Sequence, residues 1–183
     1  HCVHLSERDM GIIKKKGVNV IHNPTSNLKL GSGIAKINEM LDSGINVALG
    51  TDGAASNNNL NMMEEMHLAS ILHKGMHRDP LLINAPGVLR MATLNGAKAL
   101  GFEGKIGAIE KGMKADIILI DTDKPHLCPL NDPVAAVVYS AQGSDVDTVI
   151  IDGVVVMEKG ELKTIDEEKV KFSEAEQAAT LER

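Results

Sequence analysis

The chain has 183 residues, 43% of them hydrophobic and 24% charged, with a net charge of −6. That composition is ordinary for a globular fold and excludes collagen, a coiled coil and wholesale disorder. With 19 basic against 25 acidic residues, and only Phe102, Phe172 and Tyr139 as aromatics, it argues against DNA or RNA as a partner and demands an aliphatic core.

Cys2 and Cys128 are too few for a disulfide framework and fit a reducing cytoplasm. No apolar run approaches the roughly 18 residues of a membrane span, and no signal-peptide pattern opens the chain. The first residue is His1, inside what reads as a motif, so the chain is expected to be part of a longer protein.

Leu5 to Lys16 is predicted as a helix, with Ser6 as N-cap, lysines in its last turn and Gly17 as its stop. Val18 to His22 is a short strand. Gly31 to Asp42 contains a helix, with Ile34, Ile37, Met40 and Leu41 at helical spacing, and Gly44 ends it. Ile45 to Gly50 is a nearly all-apolar strand of the kind buried on both faces of a parallel sheet. Asn59 to Lys74 is a long amphipathic helix, and Ala85 to Leu100 holds one or two more. Strands alternating with helices at these spacings mean βα units.

After Gly101 the pattern changes. Lys114 to Asp121, Pro133 to Ser140 and Val146 to Met157 all read as β-rich, with Asp152-Gly153 as a hairpin turn. The polar tail from Asp166 to Arg183 reads as a surface helix. The expected division is therefore 1–103 for the α/β part, 104–165 for a β-rich part and 166–183 for a terminal helix.

Chemistry is sought where polar residues follow buried parallel strands, since α/β barrels carry their reactive groups there. His1 and His4 are three apart; they either share a helix face and a metal or acid–base work, or form a surface pair. In His22 to Leu30, Pro24 predicts an extended loop. Ser26 and Asn27 are read as ordinary loop residues, and His22 as a group that orients its neighbours. In Gly50 to Asn59, Asp52 leaves an apolar strand into a small-residue loop. A carboxylate there is costly to bury unless paired or bound to a metal, which would activate a water for hydrolysis. The alternative is an Asp-Gly turn. His67, His73 and His77 are expected on the polar face of their helix, and its methionines in the core. His126 and Cys128 are expected at the surface.

Together, HCVHL, HNPTSNLKLGSGIA and LGTDGAASNNNLNMMEEM resemble motifs of the amidohydrolase superfamily, and within it of the 5-methylthioadenosine/S-adenosylhomocysteine deaminase family. ATLNGAKALGF and GKIGAIEKGMKADIILID extend the resemblance, which runs from about Ile12 to Ile165 with HCVHL ahead of it. It implies an α/β fold: the C-terminal part of a (β/α)8 TIM-type barrel plus the C-terminal share of a small composite β-sandwich. Asp52 then matches a ligand of one divalent metal, zinc first, with iron or manganese as alternatives. It also takes a proton from the hydrolytic water and lies at the substrate. His1 matches the histidine that orients that water, and Ser56 a residue contacting the ribose or its 5′ substituent. His4 carries over as a substrate-side group and His22 as a loop anchor.

The implied reaction is hydrolytic deamination of S-adenosylhomocysteine, 5′-methylthioadenosine or a related adenosine to an inosine-type product and ammonia. The resemblance implies a small-molecule nucleoside partner, no nucleic acid, no membrane, and a cytoplasmic homo-oligomer for the full-length enzyme. The family's paired His-x-His, third metal histidine and protonating glutamate do not occur in these residues, so the isolated chain is expected to be inactive. Alternatives are a guanine deaminase or triazine hydrolase, or a non-catalytic fragment without metal.

Overall fold

The computed structural model describes residues 1–181, with side chains described through Glu174. The chain divides into two compact units, one of His1–Met113 with Thr122–Gly143, the other of Lys114–Asp121 with the chain from Ser144 onward.

The first unit opens with α1 (Glu7–Lys16). Ser6 caps it in a reciprocal box with Asp9, and Gly17 ends it at φ +63°. Strand β1 (Val20–His22) leads into α2 (Pro24–Lys29). Here the expected extended loop is corrected. Pro24 occupies the first turn of a helix, where its missing N–H costs nothing and its fixed φ is already helical. Then come α3 (Ile37–Asp42), β2 (Val47–Leu49), the single turn α4 (Ala54–Asn57), α5 (Met62–His77), α6 (Ala85–Ala92) and α7 (Leu94–Ala99). β1 and β2 pair in parallel, with Val20 opposite Val47 and His22 opposite Leu49.

The core of this unit is aliphatic. Val20, Val47 and Ala48 from the strands meet Ile37 and Met40 of α3, Met66 and Ala69 of α5, and Val88 and Met91 of α6, all buried. Each such fully buried Val, Ile or Met side chain contributes about 1.5–3 kcal/mol.

The second unit is an antiparallel sheet in the order β3 (Ile117–Ile120), β4 (Val146–Ile151), β5 (Val154–Glu158) and β6 (Glu161–Leu162). Asp152 and Gly153 turn β4 into β5 with both φ values positive, +50° and +81°, as a tight hairpin turn requires. The terminal helix runs over Glu167–Leu181, and Asp166 Oδ1 accepts from Lys169 N at 3.0 Å at its start. The last part of the expected tail, 182–183, lies outside the described residues. No helix among the described residues is long and apolar enough to cross a membrane.

Two expectations are revised. Pro133 to Ser140 is not β: α8 spans Pro133–Tyr139 and packs on α5 and α6. Asp132 accepts from the N–H groups of Val134 and Ala135, Pro133 pre-sets the first turn, and the alanines favour helix over the strand that the valines suggested. The compact units also divide at Met113 rather than at 103, and 122–143 returns to the first unit. Close packing explains part of this. A Cβ at Gly107 would approach Thr93 O, Leu94 Cα and Ala97 Cβ to 3.1 Å, so the segment after 103 lies flat on α7.

Candidate active site

In-register parallel pairing brings the C-terminal ends of β1 and β2 to the same side. Gly50 N donates to His22 O at 3.0 Å, which carries the ladder one residue past the strands. A Cβ at Gly50 would lie 2.6 Å from the Asn23 amide and 2.8 Å from Ile21 Cγ2, so the two strand exits can touch only because position 50 is glycine.

Asp52 follows with φ +62°, in the left-handed region that Asp tolerates better than most residues. Its Oδ2 accepts from Ser26 Oγ at 2.7 Å and lies 3.6 Å from His1 Nε2. The Ser26 hydroxyl, then Ser56 and then the Gly53 backbone hold the Asp52 carboxyl below the usual carboxylate range. The Asp52 side chain is 31% exposed, open enough to meet a ligand.

His1 is gripped from the other side. Its Nδ1 sits 2.7 Å from Asn27 Oδ1, and its Nε2 donates at 3.2 Å to Asn23 Oδ1, while Asn23 Nδ2 donates to Gly50 O at 2.9 Å. Beneath these groups lies Glu65 of α5, only 1% exposed. Its Oε2 accepts from Thr25 N at 3.2 Å and its Oε1 from Asn57 Nδ2 at 2.6 Å. Asn57 Nδ2 also donates to Thr51 O at 2.7 Å.

The expected site residues separate accordingly. His1 and Asp52 come together. Ser56 lies in α4, just after Asp52, its Oγ donating to Gly53 O at 3.0 Å. His4 shares no helix face with His1, because Cys2 turns the chain at φ +53° and helix α1 begins only at Glu7. The His4 ring sits by Gly33 and makes no hydrogen bond or ion pair with His1 or Asp52 among the described residues.

His22 lies against His73 of α5. Its ring is buried 6.0 Å, centroid to centroid, from His73, and neither nitrogen has a hydrogen-bond partner among the described residues. Burial first, and His73 second, push its pKa down to about 3. His73 is itself buried, which corrects its expected place on the polar face; His77 is exposed and stacks on it at 6.3 Å. Burial and then His77 lower His73 as well.

Ser26, Asn27, Asn23, Asn57 and Glu65 were not expected at the site. One signal was present for Glu65: it interrupts the apolar face carried by Met63, Met66 and Ala69. Among the described residues no three His, Cys, Asp or Glu side chains cluster to hold a metal. Asp52 fits a metal as a single carboxylate donor with a histidine beside it, and further ligands would have to come from outside these residues.

The amidohydrolase family model matches residues 1–156. A relative from Acetivibrio thermocellus, named 5-methylthioadenosine/S-adenosylhomocysteine deaminase, is 79% identical over 173 residues, 94% of this chain and 40% of the relative. A protein of the same name from Caldanaerobacter subterraneus subsp. tengcongensis is 55% identical over all 183 residues, 42% of its own length. Among solved structures, an adenosine deaminase from Xanthomonas campestris with bound zinc has a TM-score of 0.95 and 35% identity, over all of this chain and 42% of that one. An atrazine chlorohydrolase from Arthrobacter aurescens with zinc has a TM-score of 0.85 and 29% identity, over 94% of this chain and 38% of that one.

The chain thus spans about two fifths of the length of the curated relatives it matches. Its α/β fold is the C-terminal part of a (β/α)8 barrel with the C-terminal share of a small β domain, as the resemblance implied. On the family model's match to 156 of its residues, the chain belongs to the amidohydrolase family.

Proposed function

We propose that this chain supplies one side of the active site of a metal-dependent hydrolase that deaminates an adenine-containing nucleoside. S-adenosylhomocysteine and 5′-methylthioadenosine are the first candidates, in keeping with the names of its relatives. The observation that carries the reading is the His1–Asp52 pair, 3.6 Å apart at the C-terminal end of two parallel strands.

Asp52 would hold a divalent metal as one carboxylate ligand, and zinc is the choice because related structures contain it. When bound, such an ion supplies the Lewis acidity that makes water a nucleophile near neutral pH. The remaining steps fall to side chains. Ser26 fixes Asp52 Oδ2, which keeps the carboxylate ionised and ready to accept the proton of the attacking water. His1, held by Asn23 and Asn27, faces the same point and stabilises charge as C6 becomes tetrahedral. Ser56, one turn beyond Asp52, contacts the ribose or its 5′ substituent. Water adds at C6, ammonia leaves, and an inosine-type nucleoside remains.

A graft tests this directly. The 173 matched residues of this chain replace the corresponding part of the Acetivibrio thermocellus relative. The grafted enzyme, loaded with zinc, is expected to release ammonia from S-adenosylhomocysteine or methylthioadenosine. A folded, zinc-containing graft that acts on neither, or acts instead on guanine or a triazine, overturns the assignment.

A further inference from the structure

We propose that Glu65 is a positioning residue for the site: one buried carboxyl group that ties the segment after β1 to the segment after β2 and so sets Asp52 against His1. The inference rests on the function proposed above and adds a residue to it.

Glu65 lies at 1% exposure among Met63, Met66 and Ala69. An apolar side chain would pack there at no polar cost, whereas a buried carboxyl group needs partners. Its partners come from two separate segments, α2 after β1 and α4 after β2. Oε2 takes the backbone N–H of Thr25 at 3.2 Å, and Oε1 takes the Asn57 side-chain amide at 2.6 Å.

Both arms lead to Asp52, one to its carboxylate and one to the peptide before it. Thr25 is followed by Ser26, whose hydroxyl holds Asp52 Oδ2. Asn57 reaches back to Thr51 O, on the residue before Asp52. Asp52 is thus held by its side chain through one arm and by its backbone through the other.

A second observation explains why the brace comes from α5. Thr25 N–H is one of the first-turn donors of α2, which the residue before the helix usually satisfies with its own side chain. Asn23 occupies that position but makes no capping bond, because its amide is committed to His1 and Gly50. Glu65, 40 positions away, takes over the cap. The exchange frees Asn23 for the site.

Glu65→Gln keeps the volume but presents an N–H to a donor, so at most one link survives. Glu65→Met keeps the volume and removes both. In the grafted enzyme both are expected to lower the thermal midpoint, since buried donors lose their acceptor, and at temperatures where the variants stay folded to lower kcat and speed zinc loss by about 10–100-fold with KM unchanged. Crystal structures of the graft and of its Glu65→Gln form give a readout that needs neither substrate nor metal: the Ser26–Asp52 hydrogen bond is present in the first and broken in the second. An unmodified graft without deaminase activity sinks the proposed function, while zinc retention and the two structures still decide the role of Glu65. Variants that keep kcat, zinc and the Ser26–Asp52 bond overturn the inference. So do variants that lose activity only in step with the fraction unfolded, or that fail to fold in both forms.

Discussion

Ser26 Oγ donates to Asp52 Oδ2 at 2.7 Å, joining the exits of two neighbouring parallel strands across 26 positions of sequence. Removing the hydroxyl takes away the first of the groups that hold the Asp52 carboxylate and leaves Ser56 and the Gly53 backbone to orient it. Ser26→Ala in the grafted enzyme is expected to reduce kcat by about 10–100-fold while leaving the fold intact. Steady-state kinetics beside a thermal melt measures both; unchanged kcat contradicts the role given to Ser26.

Asp52→Asn keeps the shape and removes the proton acceptor and the negative charge. Turnover is expected to fall by at least about 10²–10⁴-fold, the range for losing a general base. Near-normal ammonia release from the variant removes Asp52 from the chemistry.

Gly50→Ala tests the contact between the two strand exits. The new methyl would sit 2.6 Å from the Asn23 amide and 2.8 Å from Ile21 Cγ2. Overpacking of this kind costs about 1–3 kcal/mol. Because Asn23 is also the group that grips His1, kcat is expected to fall together with the melting temperature. A variant as stable and as active as the parent refutes the close approach.

His22 makes stability depend on pH. In the unfolded chain its imidazole takes up a proton near 6.5, and in the fold only near 3. Between those values the unfolded state binds more protons. Stability that is complete above pH 6.5 is therefore lost as pH falls, by about 1.4 kcal/mol per pH unit for each such group. His73 acts in the same direction. His22→Phe is expected to flatten the acid side of a midpoint-versus-pH curve without abolishing the slope; an unchanged curve disproves the assignment.

Asp132→Ala removes the acceptor for two first-turn N–H groups of α8. The expected loss is about 1 kcal/mol, with activity untouched. Chemical denaturation measures it.

The βα order, the hairpin at Asp152-Gly153 and the Ser6 cap were legible in the sequence because local rules govern them, while His1 and Asp52 were singled out by the motifs around them. Helix α8 was not, since Val134, Val137 and Val138 weigh towards strand unless Asp132 is recognised as a cap. Pro24 was misjudged for a similar reason: it extends a chain or begins a helix, depending on what supplies the missing cap. That cap is Glu65, far along the chain. Asn27 and Ser26 looked like loop residues because their partners, His1 and Asp52, are each 26 positions away. His73 is buried beside His22 with its Nε2 unpartnered among the described residues, which no polar-face pattern anticipates.

The backbone of Asp52, at φ +62°, narrows what position 52 can tolerate. That conformation costs ordinary L-residues roughly 1–2 kcal/mol, while Gly, Asn and Asp enter it readily. A saturation library at this codon would therefore be sieved twice. Screening for yield should return glycine, asparagine and aspartate; screening for turnover should return aspartate alone. Glutamate, with the same charge on a longer arm, fails both sieves.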